Sequence, residues 1–215
     1  MNKLLRTGIF ILFLFLIFSI LVSLNMFSDL DYQTTLFLQK TIPDFIITPF
    51  SVFSIIGTAE TASLFLLVLY FSIRILRKLY VLFFYALTAV FEIVGKSIIF
   101  QNGPSAEFLK TNLHFGFPSG EISRGFFSYP SGHVARVTFI SAVLLFAIWK
   151  SSKLSKELKY IFAFLILTFD FFMFLSRIFL GEHWLTDVLG GALLGTSLGL
   201  ICLYLILVKT KRARG

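Results

Sequence analysis

The sequence is short of charge and nearly without cysteine. Only 14% of its 215 residues are charged, against roughly a quarter in a soluble domain, while 57% are hydrophobic and 29 are phenylalanine. A water-soluble fold of this length could not bury so much apolar surface, so the natural solvent is a bilayer. The single cysteine, Cys202, excludes an internal disulfide; lying in an apolar run, it reads as packing. Acidic residues are scarce, 11 against 19 basic, for a net charge of +8. Such a balance can signal nucleic acid. Here the basic residues punctuate hydrophobic runs and do not cover one face, which points to anchoring at a membrane and away from nucleic acid. No internal repeat and no low-complexity tract stands out beyond the excess of Phe and Leu.

Six runs are apolar and long enough to span, at about 7–24, 51–73, 79–101, 132–149, 158–180 and 184–208. The first follows Lys3 and Arg6 as a signal peptide would, but no small-x-small cleavage site follows near Ser23–Asn25, so a retained helix is expected. Lys3 and Arg6, then Arg74, Arg77 and Lys78, then Lys150, Lys153, Lys156 and Lys159, then Lys209, Lys211, Arg212 and Arg214 all fall on one side of a six-helix path. The positive-inside rule makes that side cytoplasmic, with both termini inside. The expectation is an all-α integral membrane protein in one domain spanning 1–215: a six-transmembrane helix bundle with an external active-site loop.

Two longer segments then lie outside. Residues 25–50 mix Asp29, Asp31 and Asp44 with Leu30, Leu36, Phe37, Phe45 and Ile46, which suggests a piece lying along the interface. Residues 102–131 carry Gly103, Pro104, Gly116, Pro118, Gly120, Gly125 and Pro130. A segment so rich in breakers cannot cross lipid, and its length in so small a protein points to function.

The unusual residues gather on that outer side. Lys96 lies near the outer end of the third run, Tyr129-Pro130-Ser131-Gly132-His133 leads into the fourth, Ser176-Arg177 closes the fifth, and His183 and Asp187 open the sixth. Polar groups at membrane depth are costly and mark function. Lys96 and Arg177 are cations suited to phosphate oxygens, and arginine can hold two at once. Pro130-Ser131-Gly132 before a helix offers a tight turn, an N-cap hydroxyl and free backbone N–H groups, which together form an anion seat. His183 and Asp187, four residues apart, share a helix face. The carboxylate can keep one ring nitrogen protonated and leave the other free to attack. His133, on a different helix, can protonate a leaving group. Nucleophile, orienting group, acid and charge clamp are present without a metal or any cofactor.

Pro130-Ser131-Gly132-His133, and Ser176-Arg177 followed at fixed spacing by His183 and Asp187, resemble the second and third motifs of the type 2 phosphatidic acid phosphatase superfamily, which also includes vanadium haloperoxidases. The resemblance covers roughly residues 50–208. It implies that His183 forms a phosphohistidine, that Asp187 orients it, and that His133 is the acid for the leaving alcohol. It also implies that Lys96, Ser131, Gly132 and Arg177 hold the phosphate. The substrate implied is a lipid phosphate monoester or diphosphate of the phosphatidic acid, phosphatidylglycerol phosphate or isoprenyl diphosphate type, met at the external face of the membrane. Phosphotransfer to another acceptor on the same fold stays open.

The first motif, Lys-x6-Arg-Pro, departs from the family pattern. After Lys96 and six intervening residues stands Gly103, then Pro104. Loss of one preorganised charge costs on the order of 10²–10³ in rate, and this departure is the one feature that favours a non-catalytic lipid-binding or transport protein. Arg136, three residues after His133, and Arg124 in the outer loop are candidates to replace the missing arginine. Glu92, four residues before Lys96, is expected to pair with it. Glu60 and Asp170, acids inside runs, demand partners that Arg136 or Arg177 could supply. His114, near Phe115 and Phe117 in the outer loop, is expected at the substrate entrance.

Overall fold

The computed structural model describes residues 3–111, 113, 117–118 and 127–212. Among them the chain is helical, with no strand. Eight α-helices follow in order: α1 (Lys3–Ser23), α2 (Ser28–Thr41), α3 (Ile47–Ile56), α4 (Ala59–Ser72), α5 (Leu79–Ile98), α6 (Gly132–Lys150), α7 (Lys156–Phe179) and α8 (Leu185–Arg212). Short 3₁₀ turns at Asp44–Ile46, Arg74–Leu76 and Ala106–Phe108 complete the described elements.

Helices α1, α5, α6, α7 and α8 are each long and apolar enough to cross a membrane, and the bent pair α3–α4 makes up to a sixth span. The continuous helix expected over 51–73 is corrected here. The path turns by 61° between α3 and α4, and the reason is local. Thr58 takes an extended conformation and caps α4 by accepting from the Thr61 N–H. Gly57 stands where the chain passes under the His133 ring, and a Cβ there would lie 2.8 Å from His133 Cδ2. The break therefore brings a loop, and not a helix face, against the ring.

Helices α6 and α8 form the centre. The apolar window of α6 is 61% buried and that of α8 50%, against 22% for α1 and α5; the outer helices turn Phe10, Phe13, Phe83, Phe164 and Leu167 outward. Helix α8 packs along α6 on one side and α1 on another, with α5 close by. Phe139, Val143, Leu194, Leu198, Cys202 and Ile206 are buried in the seam. Cys202 is a free, buried thiol.

The closeness of α6 and α8 has a chemical cause. Gly191, Gly195 and Gly199 recur every fourth residue on one face of α8, as small residues do where membrane helices meet. A Cβ on Gly191 would lie 2.4 Å from the Ser131 carbonyl oxygen, and one on Gly195 2.0 Å from Thr138 Oγ1 and 2.2 Å from the Ala135 carbonyl oxygen. No side chain fits there without separating the helices. Gly195→Ala is therefore expected to cost about 1–3 kcal/mol of stability through overpacking, read as a lower apparent unfolding midpoint in detergent. An unchanged midpoint would show that the seam yields freely.

Candidate active site

The site forms where the N-termini of α6 and α8 meet the C-termini of α5 and α7. The first device is the end of α7. Gly181 adopts φ +69°, the left-handed conformation that glycine reaches without a Cβ penalty. The Glu182 N–H returns to the Arg177 carbonyl and the Gly181 N–H to the Ile178 carbonyl, at 3.1 and 3.0 Å; this is a Schellman C-cap. The His183 N–H also reaches the Arg177 carbonyl at 3.2 Å. The five-residue interval between Arg177 and His183 is thus a helix cap that folds the chain back, so that Arg177, Glu182 and His183 share one place.

The second device is the start of α8. Asp187 Oδ2 accepts from the Trp184 N–H at 3.0 Å, the reciprocal arm of a capping box, and lies 3.2 Å from His183 Nδ1. Ser128 Oγ lies 3.2 Å from Asp187 Oδ1. An ionised carboxylate only accepts hydrogen bonds, so in this contact Nδ1 is the donor, and the neutral ring of that tautomer has its lone pair on Nε2. Asp187 is wholly buried.

A residue outside the sequence reading completes this end. Asp31 of α2 accepts from the Thr186 N–H at 2.9 Å and from Thr186 Oγ1 at 2.6 Å, with Gln101 Nε2 at 3.3 Å. It caps α8 from a helix 155 residues away in sequence. Burial pushes the Asp31 carboxyl above its ordinary value, and the Thr186 hydrogen bonds oppose that shift. Two turns along α2, Gln39 Nε2 donates to the Phe108 and Phe179 carbonyls at 2.7 and 2.8 Å. One face of α2 thereby ties the end of α7 to the start of α8. Only the acidic character of the segment signalled Asp31 in the sequence.

The third device is the turn into α6. Ser131 is the N-cap residue, but its side chain makes no capping bond, contrary to the expected N-cap hydroxyl. Its N–H donates to the Asp187 carbonyl at 2.9 Å, which binds the mouths of α6 and α8 to each other. Its Oγ is buried and has no hydrogen-bond partner among the described residues, so it remains available to another group.

Around these ends stand the cations. Lys96 Nζ lies 3.1 Å from Glu92 Oε1, and Arg136 Nη1 lies 2.6 Å from Glu92 Oε2. Glu92 therefore joins α5 to α6, and its carboxylate rests against Gly132, where a Cβ would meet it at 2.0 Å. Arg177, fully buried, pairs through Nη1 with Glu182, while its Nε and Nη2 have no partner among the described residues. Burial pushes the Glu182 carboxyl upward, but Arg177 and the hydroxyls of Thr111 and Ser54 outweigh it and hold the group below the usual carboxylate range. Asp170 does not meet an arginine as expected; Ser141 Oγ donates to it at 2.7 Å, because both buried arginines are already paired at the outer end.

The ring centroids of His133 and His183 are 6.4 Å apart. Arg177, Arg136 and Lys96 are near enough for their charges to act on His133. The sequence candidates Lys96, Ser131, Gly132, His133, Arg136, Arg177, His183 and Asp187 thus fall in one cluster. Arg124 and His114 lie outside the described residues. Gly103 is exposed, and a Cβ built there would make an ordinary 3.6 Å contact with Ser128 Cβ.

The Asp31 clamp has a measurable weight. Asp31→Ala leaves the buried Thr186 N–H without its charged acceptor and is expected to cost about 1.5–3 kcal/mol. The reading is a lower unfolding midpoint in detergent, with Asp31→Asn falling between wild type and alanine; a wild-type midpoint for the alanine variant would deny the clamp.

Comparison with known proteins comes to the same place. The family model of the PAP2 superfamily matches residues 77–211. A crystal structure described as the first transmembrane PAP2-type phosphatidylglycerolphosphate phosphatase, from Bacillus subtilis, superposes with a TM-score of 0.73 at 19% identity, covering 95% of this chain and 96% of that one. Aquifex aeolicus LpxE superposes with a TM-score of 0.61 at 22% identity, covering 81% of this chain and 95% of that one. No curated protein sequence matches. With more than half the chain matched by the family model, this integral, multi-pass helical protein belongs to the PAP2 superfamily.

Proposed function

We propose that the protein is a membrane lipid phosphatase that hydrolyses a lipid phosphate monoester or diphosphate through a phosphohistidine on His183. The observation that carries this reading is the His183–Asp187 pair facing His133 across 6.4 Å, with Lys96, Arg136 and Arg177 close by. The two solved relatives add support, since one is described as a phosphatidylglycerolphosphate phosphatase.

The roles follow from the geometry. The lone pair of His183 Nε2 attacks phosphorus, and the P–O bond to the lipid breaks as the P–N bond forms. Asp187, already bonded to Nδ1–H, stabilises the positive charge that appears on the ring. His133 gives its proton to the departing oxygen, then takes one from the water that cleaves the P–N bond. Charge growing on the phosphoryl oxygens meets the open Nε and Nη2 of Arg177, the Ser131 hydroxyl, Lys96 and the N-terminus of α6 at Gly132. The side chains named here supply each role, and no cofactor or metal is assigned a step. The site lies at the ends of spanning helices, the level at which a lipid headgroup phosphate rests, and the distribution of basic loops in the sequence supports the external face.

Arg136 is assigned the charge that an arginine at position 103 would give. It reaches the site through Glu92, and its Nε is buried without a partner among the described residues. Arg124, from the outer loop, is the second candidate.

The test is phosphate release from a panel of lipid phosphates in detergent, with chelator present. His183→Ala is expected to leave no turnover, and His133→Ala to lower kcat by about 10²–10⁴. Persistent release from His183→Ala, or loss of wild-type release on chelation, would overturn the mechanism; turnover that requires an added acceptor alcohol would make the protein a phosphotransferase.

The missing arginine gives a second measurement. Arg136→Ala combined with Arg124→Ala is expected to lower the rate by about 10²–10³. Gly103→Arg, for which the backbone has room, is expected to raise it. Unchanged rates in the double variant would exclude both replacements.

A further inference from the structure

Glu182 has no role in the reading above, yet it is tied into the site more thoroughly than any phosphate ligand proposed there. Its carboxylate takes Arg177 Nη1, accepts from Thr111 in the outer segment, and accepts from Ser54 of α3 at 3.3 and 3.4 Å. Three separate stretches of chain thus converge on one acid beside the nucleophile. Its backbone is held as firmly, since the Schellman turn returns the Glu182 N–H to the Arg177 carbonyl.

The geometry points to Glu182 as a positioning residue for the phosphate site: it holds Arg177 by one nitrogen so that the opposite edge of the guanidinium is presented to a phosphoryl group. This rests on the phosphatase reading and deepens it. A guanidinium carries five N–H donors in a rigid plane, and two parallel donors on one edge match two oxygens of a phosphate. Without an anchor, a buried arginine can rotate about its last bonds and offer any edge. Glu182 removes that freedom by occupying Nη1. The donors that remain, Nε and Nη2, share an edge, and both are buried with no partner among the described residues. A buried donor left unpaired is costly, so this edge is built for an acceptor from outside the chain.

The alternative is that Glu182 stands in for the phosphate and must leave when substrate arrives. The same atoms argue against it. A displaced anion would sit on the edge that substrate uses, whereas Nε and Nη2 are free while Glu182 is engaged. Thr111 and Ser54 also give Glu182 two partners with no need of substrate. Through Thr111 the acid further links Arg177 to the outer segment, so the setting of the arginine depends on where that segment lies.

The test measures binding of inorganic phosphate by the purified full-length protein in detergent, from the rise in unfolding midpoint with phosphate concentration. It is paired with kcat and KM on a lipid phosphate monoester. Glu182→Ala is expected to weaken phosphate binding by about 10-fold or more, the worth of a charge-assisted hydrogen bond, and to raise KM while kcat falls. Glu182→Gln, which keeps the shape without the charge, is expected between the two and carries the test if the alanine variant does not fold. Arg177→Ala with Glu182→Ala is expected to bind phosphate no worse than Arg177→Ala alone, because the acid acts only through the arginine. Wild-type binding by the acid variants, tighter binding, or losses that multiply in the double variant would each overturn the assignment. If wild type binds phosphate but releases none from any lipid, the phosphatase reading fails and the positioning role stands; if wild type binds no phosphate, both fall.

Discussion

The site depends on the carboxylate of Asp187. It closes the first turn of α8 by accepting the Trp184 N–H, fixes the His183 ring by its Nδ1, and receives Ser128 from the end of the outer loop. Its own carbonyl takes the Ser131 N–H. One residue is therefore a helix cap, the partner of the His183 ring and the junction of two helix mouths. A charge buried this deeply is tolerable only when its acceptor positions are filled. The same bonds that satisfy Asp187 also fix the position of the His183 ring.

Around Asp187 each buried cation has an acidic partner, from its own helix or from a neighbouring element. Glu92 of α5 spans Lys96 and Arg136, Glu182 holds Arg177, and Asp31 of α2 caps α8. Three cations, Lys96, Arg136 and Arg177, stand with three carboxylates, Glu92, Glu182 and Asp187, at the cluster. Each carboxylate uses only part of its arginine. Arg136 Nε and Arg177 Nε and Nη2 have no hydrogen-bond partner among the described residues.

The deeper half of the bundle is apolar and answers a different need. Between spanning helices the lipid offers no hydrophobic drive, so close packing has to bring them together. The glycine face of α8 against Ser131 and against Ala135 and Thr138 of α6 provides that contact. Because Gly191 lies one turn beyond Asp187 and Ser131 one residue before α6, the seam that joins the two helices also sets the spacing of His133 and His183.

Much of this was written in the sequence, and the reason is chemical. Spanning runs are legible because lipid demands about twenty consecutive apolar residues, whatever the neighbours. The cluster was legible because Lys96, His133, Arg177, His183 and Asp187 are expensive at membrane depth, and because Pro130-Ser131-Gly132-His133 and the spacing from Arg177 to His183 and Asp187 match two family motifs; that the interval is a helix cap turning on Gly181 was not read there. What depended on partners distant in the chain was not legible. The length of the apolar run 51–73 carried the helix through Gly57, since the His133 ring that the break accommodates lies 76 positions further on. Asp31 looked like one more acid in a polar segment until α2 lay across the start of α8. Asp170 was expected to seek an arginine, but both arginines were already claimed by Glu92 and Glu182. Local sequence determined which groups occur and at which helix ends; the fold alone decided which of them meet, because a buried charge is satisfied by whatever the packing places within hydrogen-bond reach.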